Sequence, residues 1–143
     1  MKDEILTKHF NNVMLVDDNF IDNFVHKKLL GSIKIANQFH EFTKPEEAIN
    51  YLKLFNGFLD QSHNNFVDLI FLDLNMPVMD GWQFLEKIKT ICNNVKPKTT
   101  IIVLSSSINK EDRKKVQNEL FVSGYIQKPL TLEKLTACLK EIK

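Results

Sequence analysis

Four apolar runs in this 143-residue chain each stop abruptly on polar residues. Val13-Met14-Leu15-Val16 stops on Asp17-Asp18, and Phe66-Val67-Asp68-Leu69-Ile70-Phe71-Leu72 stops on Asp73. Ile101-Ile102-Val103-Leu104 stops on Ser105, and Tyr125-Ile126-Gln127 stops on Lys128-Pro129. Short apolar runs separated by helix-patterned segments read as parallel strands joined by helices. Four strands of one parallel sheet would carry these polar ends to a single edge, the edge where open α/β sheets bind ligands. That edge would hold three carboxylates, a hydroxyl and an ammonium. Clustered carboxylates repel one another unless a cation sits among them, and hard oxygen donors with open positions suit Mg²⁺. An Asp beside a bound Mg²⁺ and a Lys is suited to receive a phosphoryl group, because both cations stabilise the transferring charge.

The whole chain follows the same alternation, in five β–α units. Strands are expected at about 12–17, 37–43, 67–73, 100–105 and 122–127. The first helix, about 19–30, carries Phe20, Phe24 and Leu30 among polar residues, with Gly31 as its stop. Pro45 opens the second helix at a first-turn position, with Ala48, Ile49, Leu52 and Phe55 on one stripe. The third helix, about 82–91, turns Phe84, Leu85, Ile88 and Ile91 inward. Ser107 or Asn109 caps the fourth, about 109–120, whose apolar residues are mainly Val116 and Leu120, so it should pack loosely. Thr131 caps the fifth, about 132–142. Residues 1–11 read as a polar lead-in, and 57–65 and 93–98 as polar loops. Strands one, three and four are continuous apolar runs, as in strands covered on both faces. Strands two and five are mixed, as at edges, which gives the order 2-1-3-4-5. The expectation is one domain over 1–143, core about 12–142, with no output domain.

Composition removes several function classes. A net charge of +1 gives no general electrostatic reason to bind nucleic acid or an anionic membrane. The basic cluster Lys110 to Lys115 is interrupted by Glu111 and Asp112 and reads as a solvated helix face. No apolar run is long enough to span a bilayer, and Met1-Lys2-Asp3-Glu4 lacks a signal-peptide core. Cys92 and Cys138 have no metal-like spacing, which fits reduced thiols and a cytoplasmic location. His9, His26, His40 and His63 are scattered and read as structural or surface residues, and Trp82 as a packing residue.

The Asp17-Asp18 pair, Asp73 with Asn75-Met76-Pro77, the Asp80-Gly81 turn, Ser105, Tyr125 and Lys128-Pro129, in this order, resemble a receiver domain of two-component response regulators. The likeness runs from about Val13 to Ile142, and the chemotaxis receiver is a similar stand-alone case. It implies a flavodoxin-like (βα)5 three-layer sandwich with Asp73 as phosphoacceptor. It makes Asp18 a direct Mg²⁺ ligand and Asp17 a ligand through water, with Asn75 giving its backbone carbonyl and Mn²⁺ able to substitute. Ser105 and Lys128 would contact the phosphoryl group, with Lys128 paired to Asp73 beforehand and joined to Pro129 by a cis peptide. Tyr125 would be the aromatic switch. The implied phosphodonor is a phosphohistidine of a histidine kinase or histidine phosphotransfer protein. The output would go to an unknown downstream protein or onward by phosphotransfer, with no nucleic acid or membrane involved. Such a chain is a signalling protein with Mg-dependent self-phosphorylation and autodephosphorylation, not a metabolic enzyme.

Each residue also has a plainer reading. Asp17 or Asp18 alone could be a helix N-cap, Asp68 a turn or edge residue, Lys128 a surface lysine and Tyr125 an edge aromatic. Ser105 could be a polar strand end, and Ser106 could replace it at the phosphoryl group. A Mg-dependent aspartyl phosphatase of the haloacid dehalogenase type needs a second Asp two residues on as general acid, where this chain has Asn75. A flavodoxin-like cofactor binder needs a phosphate loop where Asp17-Asp18-Asn19-Phe20 would repel phosphate. A phosphorylation-independent binding module is the third alternative, although all the phosphorylation residues are present.

Overall fold

Alternating burial builds the sheet. Met14 and Val16 of the first strand face one layer of helices, while Val13 and Leu15 face the other. Ile70 and Leu72 alternate with Leu69 and Phe71 in the same way, as the two-residue period of a strand requires. The computed structural model describes residues 9–55, 64–106 and 109–142. Its elements are β1 (Phe10–Val16), α1 (Phe20–Ser32), β2 (Ala36–Phe42), α2 (Pro45–Phe55), β3 (Leu69–Leu72), α3 (Gly81–Ile91), β4 (Thr100–Ser105), α4 (Lys110–Asn118), β5 (Gly124–Gln127) and α5 (Leu132–Glu141). The sheet is parallel throughout, in the order β2-β1-β3-β4-β5. This is the expected flavodoxin-like arrangement.

Helices α2 and α3 cover one face through Ala48, Ile49, Leu52, Phe84, Leu85 and Ile88. Helices α1 and α5 cover the other through Leu30, Leu135 and Leu139. Helix α4 is held by a single buried residue, Val116, in a small cluster with Leu74 and Val103. The loose packing expected of it is therefore present. Leu120 lies beyond its end and is 79% exposed, so it is no anchor. Asn109 caps this helix through a 2.8 Å bond from the Asp112 N–H; Ser107, the alternative cap, lies outside the described residues, as does most of the 57–65 loop. Among the described residues no helix is long and apolar enough to cross a membrane. Cys92 and Cys138 are both buried.

Several boundaries differ from the sequence expectation. Helix α1 continues through Gly31 to Ser32, and the left-handed residue after it is Lys34, with φ 54. Phe20 and Phe24 are 70% and 54% exposed, whereas Asn23, His26 and Leu30 turn inward. Strand β1 starts early because Asp68 accepts the N–H groups of Asn11 at 2.7 Å and Asn12 at 2.8 Å. Asp68 thus ties two strand starts together, and β3 begins just after it at Leu69. Strand β5 begins at Gly124, later than the apolar pattern suggested.

Two glycines make opposite demands. A Cβ on Gly81 would lie 2.7 Å from the Asp73 carbonyl oxygen and 2.7 Å from the Leu74 Cα, both backbone. The Gly81 N–H donates to the Leu74 carbonyl at 2.9 Å, so α3 starts against the strand that ends at the site. A Cβ on helical Gly31 would meet nothing within 4 Å. Gly81→Ala is expected to cost about 1–3 kcal/mol through overpacking, and Gly31→Ala to stabilise by about 0.5–1 kcal/mol. Urea unfolding of the two variants checks both signs.

Candidate functional site

Register decides which side chains meet. Val16 pairs with Leu72, and the Asp73 N–H donates to the Val16 carbonyl at 3.0 Å, so Asp17 and Asp73 leave adjacent strands side by side. Leu72 pairs with Val103, and Ser105 with Gln127. The Lys128 N–H then donates to the Ser105 carbonyl at 2.9 Å. The expected residues therefore share one sheet edge. Asp17, Asp73 and Ser105 are buried, whereas Asp18 is exposed. One carboxylate oxygen from each of Asp17, Asp18 and Asp73 lies within 4.8 Å of the others. The Lys128–Pro129 peptide is cis.

The three carboxylates are engaged differently. Asp17 Oδ1 accepts from the Asn19 N–H at 3.0 Å, and its Oδ2 accepts from Lys128 Nζ at 2.6 Å. Asp18 has no hydrogen bond to another described residue. Asp73 Oδ1 accepts one long bond, 3.3 Å, from the Asn75 N–H. Lys128 Nζ stands 3.9 Å from Asp73 Oδ2 and only 2.8 Å from Asp22 Oδ2. The expected pairing of Lys128 with Asp73 is thus the longest of its three contacts; Asp17 and Asp22 hold it. The Asn75 side chain donates to Ser105 Oγ at 3.1 Å, which links the β3 loop to the end of β4. Ser106 is exposed, unlike Ser105.

Charge shapes this pocket. Burial raises the Asp73 carboxyl, from an ordinary 3.8 to about 6; the charges of Asp17 and Asp18 add to this, while Lys128 and the Asn75 N–H act against it. Burial alone would lower the Lys128 ammonium, but its hydrogen bonds to Asp17 and Asp22 outweigh that and raise it. Burial, joined by the Lys128 charge, holds the His26 imidazole below its usual range. Among the described residues the site is therefore a negative pocket, buried at Asp17 and Asp73 and open at Asp18, with the Lys128 ammonium shared by Asp17, Asp22 and Asp73.

Asp22 and the Asn75 side chain are the site residues that sequence reasoning missed. Asp22 lies three residues after the Asn19 cap, within the first turn of α1, so an acid this soon after the end of β1 was the signal that could have found it. Tyr125 packs against the Leu74, Val103 and Val116 cluster. Its hydroxyl is already buried, with no hydrogen-bond partner among the described residues.

A pH-dependent stability follows from Asp73. Its folded pKa, about 6, lies above the ordinary 3.8. Its stabilising contribution is therefore full below about 3.8 and lost as pH rises through about 6. At pH 7.5, without divalent cations, the buried charge costs up to about 3 kcal/mol. Asp73→Asn is expected to exceed wild type in stability by about 1–3 kcal/mol at pH 7.5 in chelator, with the gap closing by about pH 4. Urea unfolding at both pH values checks this; equal stabilities at pH 7.5 would contradict it.

Known proteins share this fold. The family model described as the response regulator receiver domain matches residues 13–140. The chemotaxis protein CheY of Treponema pallidum is 30% identical over 132 residues, spanning 90% of this chain and 82% of that protein. A two-component response regulator from Cytophaga hutchinsonii has a TM-score of 0.80 at 26% identity, over 94% of this chain and 97% of that one. The receiver domain of the histidine kinase CKI1 from Arabidopsis thaliana, solved with Mg²⁺ and BeF₃⁻, shares the fold with a TM-score of 0.73 at 24% identity, over 92% of this chain and 88% of that one. With five parallel strands in this order and an acidic pocket at their carboxyl ends, the chain belongs to the response regulator receiver domain family of two-component signal transduction.

Proposed function

We propose that Asp73 accepts a phosphoryl group from the phosphohistidine of a histidine kinase or histidine phosphotransfer protein. The observation that carries this reading is a buried carboxylate, with few hydrogen bonds, placed against two others and one ammonium. At pH 7.5 a carboxyl with a pKa of about 6 is mostly ionised and can act as the nucleophile. Its oxygen forms the P–O bond as the P–N bond to the donor imidazole breaks, and the imidazole, protonated beforehand on its other ring nitrogen, leaves as the neutral base. Ser105 and Lys128 then donate hydrogen bonds to phosphoryl oxygens.

The donor set fits Mg²⁺, since all three side chains offer hard oxygens. A bound Mg²⁺ supplies neutralisation of these carboxylates and of the incoming phosphoryl oxygens. Asp18, exposed and without a described hydrogen bond, is assigned as the direct side-chain ligand with Asp73. Asp17 already has a partner on each oxygen and is assigned a role through water. The Asn75 backbone carbonyl completes the protein set, and Mn²⁺ would serve in place of Mg²⁺.

A phosphoryl group adds negative charge and acceptor oxygens at the start of the α4 segment. Ser105 would turn toward it, drawing the residues that lead into α4. That helix has one buried anchor, so its displacement meets little resistance. Tyr125 would respond by finding a partner for its buried hydroxyl. The face made by α4, β5 and α5 would then present a changed surface to a downstream protein.

Labelling with a small phosphodonor tests the chemistry. Wild type is expected to take up label only with Mg²⁺ or Mn²⁺. Asp73→Asn should take up none, because an amide is not a carboxylate nucleophile. Asp18→Ala should weaken Mg²⁺ binding more than Asp17→Ala, read by titration. Labelling of Asp73→Asn at the wild-type rate would contradict the acceptor, and unchanged Mg²⁺ affinity in the Asp17→Ala, Asp18→Ala double variant would contradict the metal site.

A further inference from the structure

Lys128 is held away from the group it would serve. An ammonium has three N–H donors. One donates to Asp17 at 2.6 Å and another to Asp22 at 2.8 Å. Asp73, at 3.9 Å, is beyond hydrogen-bond reach. The Lys128 side chain is 12% exposed, so little water competes for it. Asp22 is well fixed: it sits in the first turn of α1, where the helix dipole favours an anion, and its N–H donates to the Asn19 cap. Asp22 lies on a helix, outside the cluster formed by Asp17, Asp18 and Asp73.

From this geometry we infer that Asp22 is a positioning residue, one that holds the Lys128 ammonium off Asp73 in the unphosphorylated protein. The inference rests on Asp73 being the phosphoacceptor. A phosphoryl group on Asp73 competes with Asp22 for the Lys128 ammonium by offering it a charge-assisted hydrogen bond. Asp22 thereby opposes the phosphorylated state and favours the resting one. Its side chain is 37% exposed, so water readily takes over its solvation when Lys128 departs. The exchange of one partner for another is what lets a single lysine report the state of Asp73 to α1.

Two measurements on the full chain test this. A crystal structure of Asp22→Asn without ligand should place Lys128 Nζ within about 3.2 Å of Asp73 Oδ2; an ammonium that stays near its present position overturns the inference. Beryllofluoride with Mg²⁺, a phosphoryl mimic, is then titrated into wild type, Asp22→Asn, Lys128→Met and the double variant. Asp22→Asn should bind it about two- to fivefold tighter, the scale of a half-exposed ion pair. That gain should vanish in the Lys128→Met background. Equal or weaker binding by Asp22→Asn overturns the inference. So does an equal gain without Lys128, because the effect would then be only the loss of one negative charge near an anion. A wild type that binds no beryllofluoride contradicts the acceptor reading instead, and the crystal structure still decides the role of Asp22. Asp22→Ser, compatible with a first helical turn, serves as a second variant if Asp22→Asn does not fold.

Discussion

Asp17 and Asp73 repel each other, yet the sheet does not let them part. They follow Val16 and Leu72, which pair across adjacent parallel strands and are both buried. Slipping either strand by one residue would turn its core face toward the opposite helices. Apolar burial on both faces of the sheet therefore holds together charges that would separate in water. Burial raises the pKa of Asp73 most, and the cost of holding Asp17 beside it raises it further. It is partly offset by the Lys128 ammonium, which β5 delivers to the same edge. Added positive charge at this edge relieves the strain, and an added anion forces Lys128 to choose among partners.

Much of this site was legible because strand ends are legible. An apolar run that stops on a charged residue fixes both a strand and the edge where the charge lies, and that signal placed Asp17, Asp18, Asp73 and Lys128 at one edge. Ser105 was found by the same signal, although two further serines follow it. Hydrogen-bond partners were harder, because they depend on how a helix is rotated about its axis. The apolar Phe20 and Phe24 of α1 are exposed, while the polar Asn23 takes the inward face, donating to the carbonyls of Asp17 and Phe42 at 3.2 and 3.1 Å. That rotation also sets Asp22 over the pocket. Asn75 was read only as a backbone ligand, and its side-chain bond to Ser105 spans thirty residues of sequence. Gly31 looked like a helix stop, but the left-handed conformation falls on Lys34, which composition does not mark.

The two sides of the site differ in rigidity. Toward β1, β3 and α3, side chains are buried and Gly81 touches the backbone of Asp73 and Leu74 so closely that no larger residue fits without displacement. Toward α4, one buried valine and a tyrosine hydroxyl without a partner among the described residues are the main features. A rigid half can hold reacting groups in place while a loosely anchored half responds to them. Charge added at Asp73 would be carried outward through Ser105 into the weaker half, while Lys128 would relay it to α1 through Asp22.

The central claim is that Asp73 carries the phosphoryl group. The most direct measurement maps the modified residue after reaction with a small phosphodonor and Mg²⁺. Borohydride reduces an aspartyl phosphate to homoserine, and peptide mass spectrometry then reads the position. The account predicts homoserine at residue 73 and nowhere else. Phosphate found on Ser105, on a histidine, or on a carboxylate other than Asp73 would contradict it.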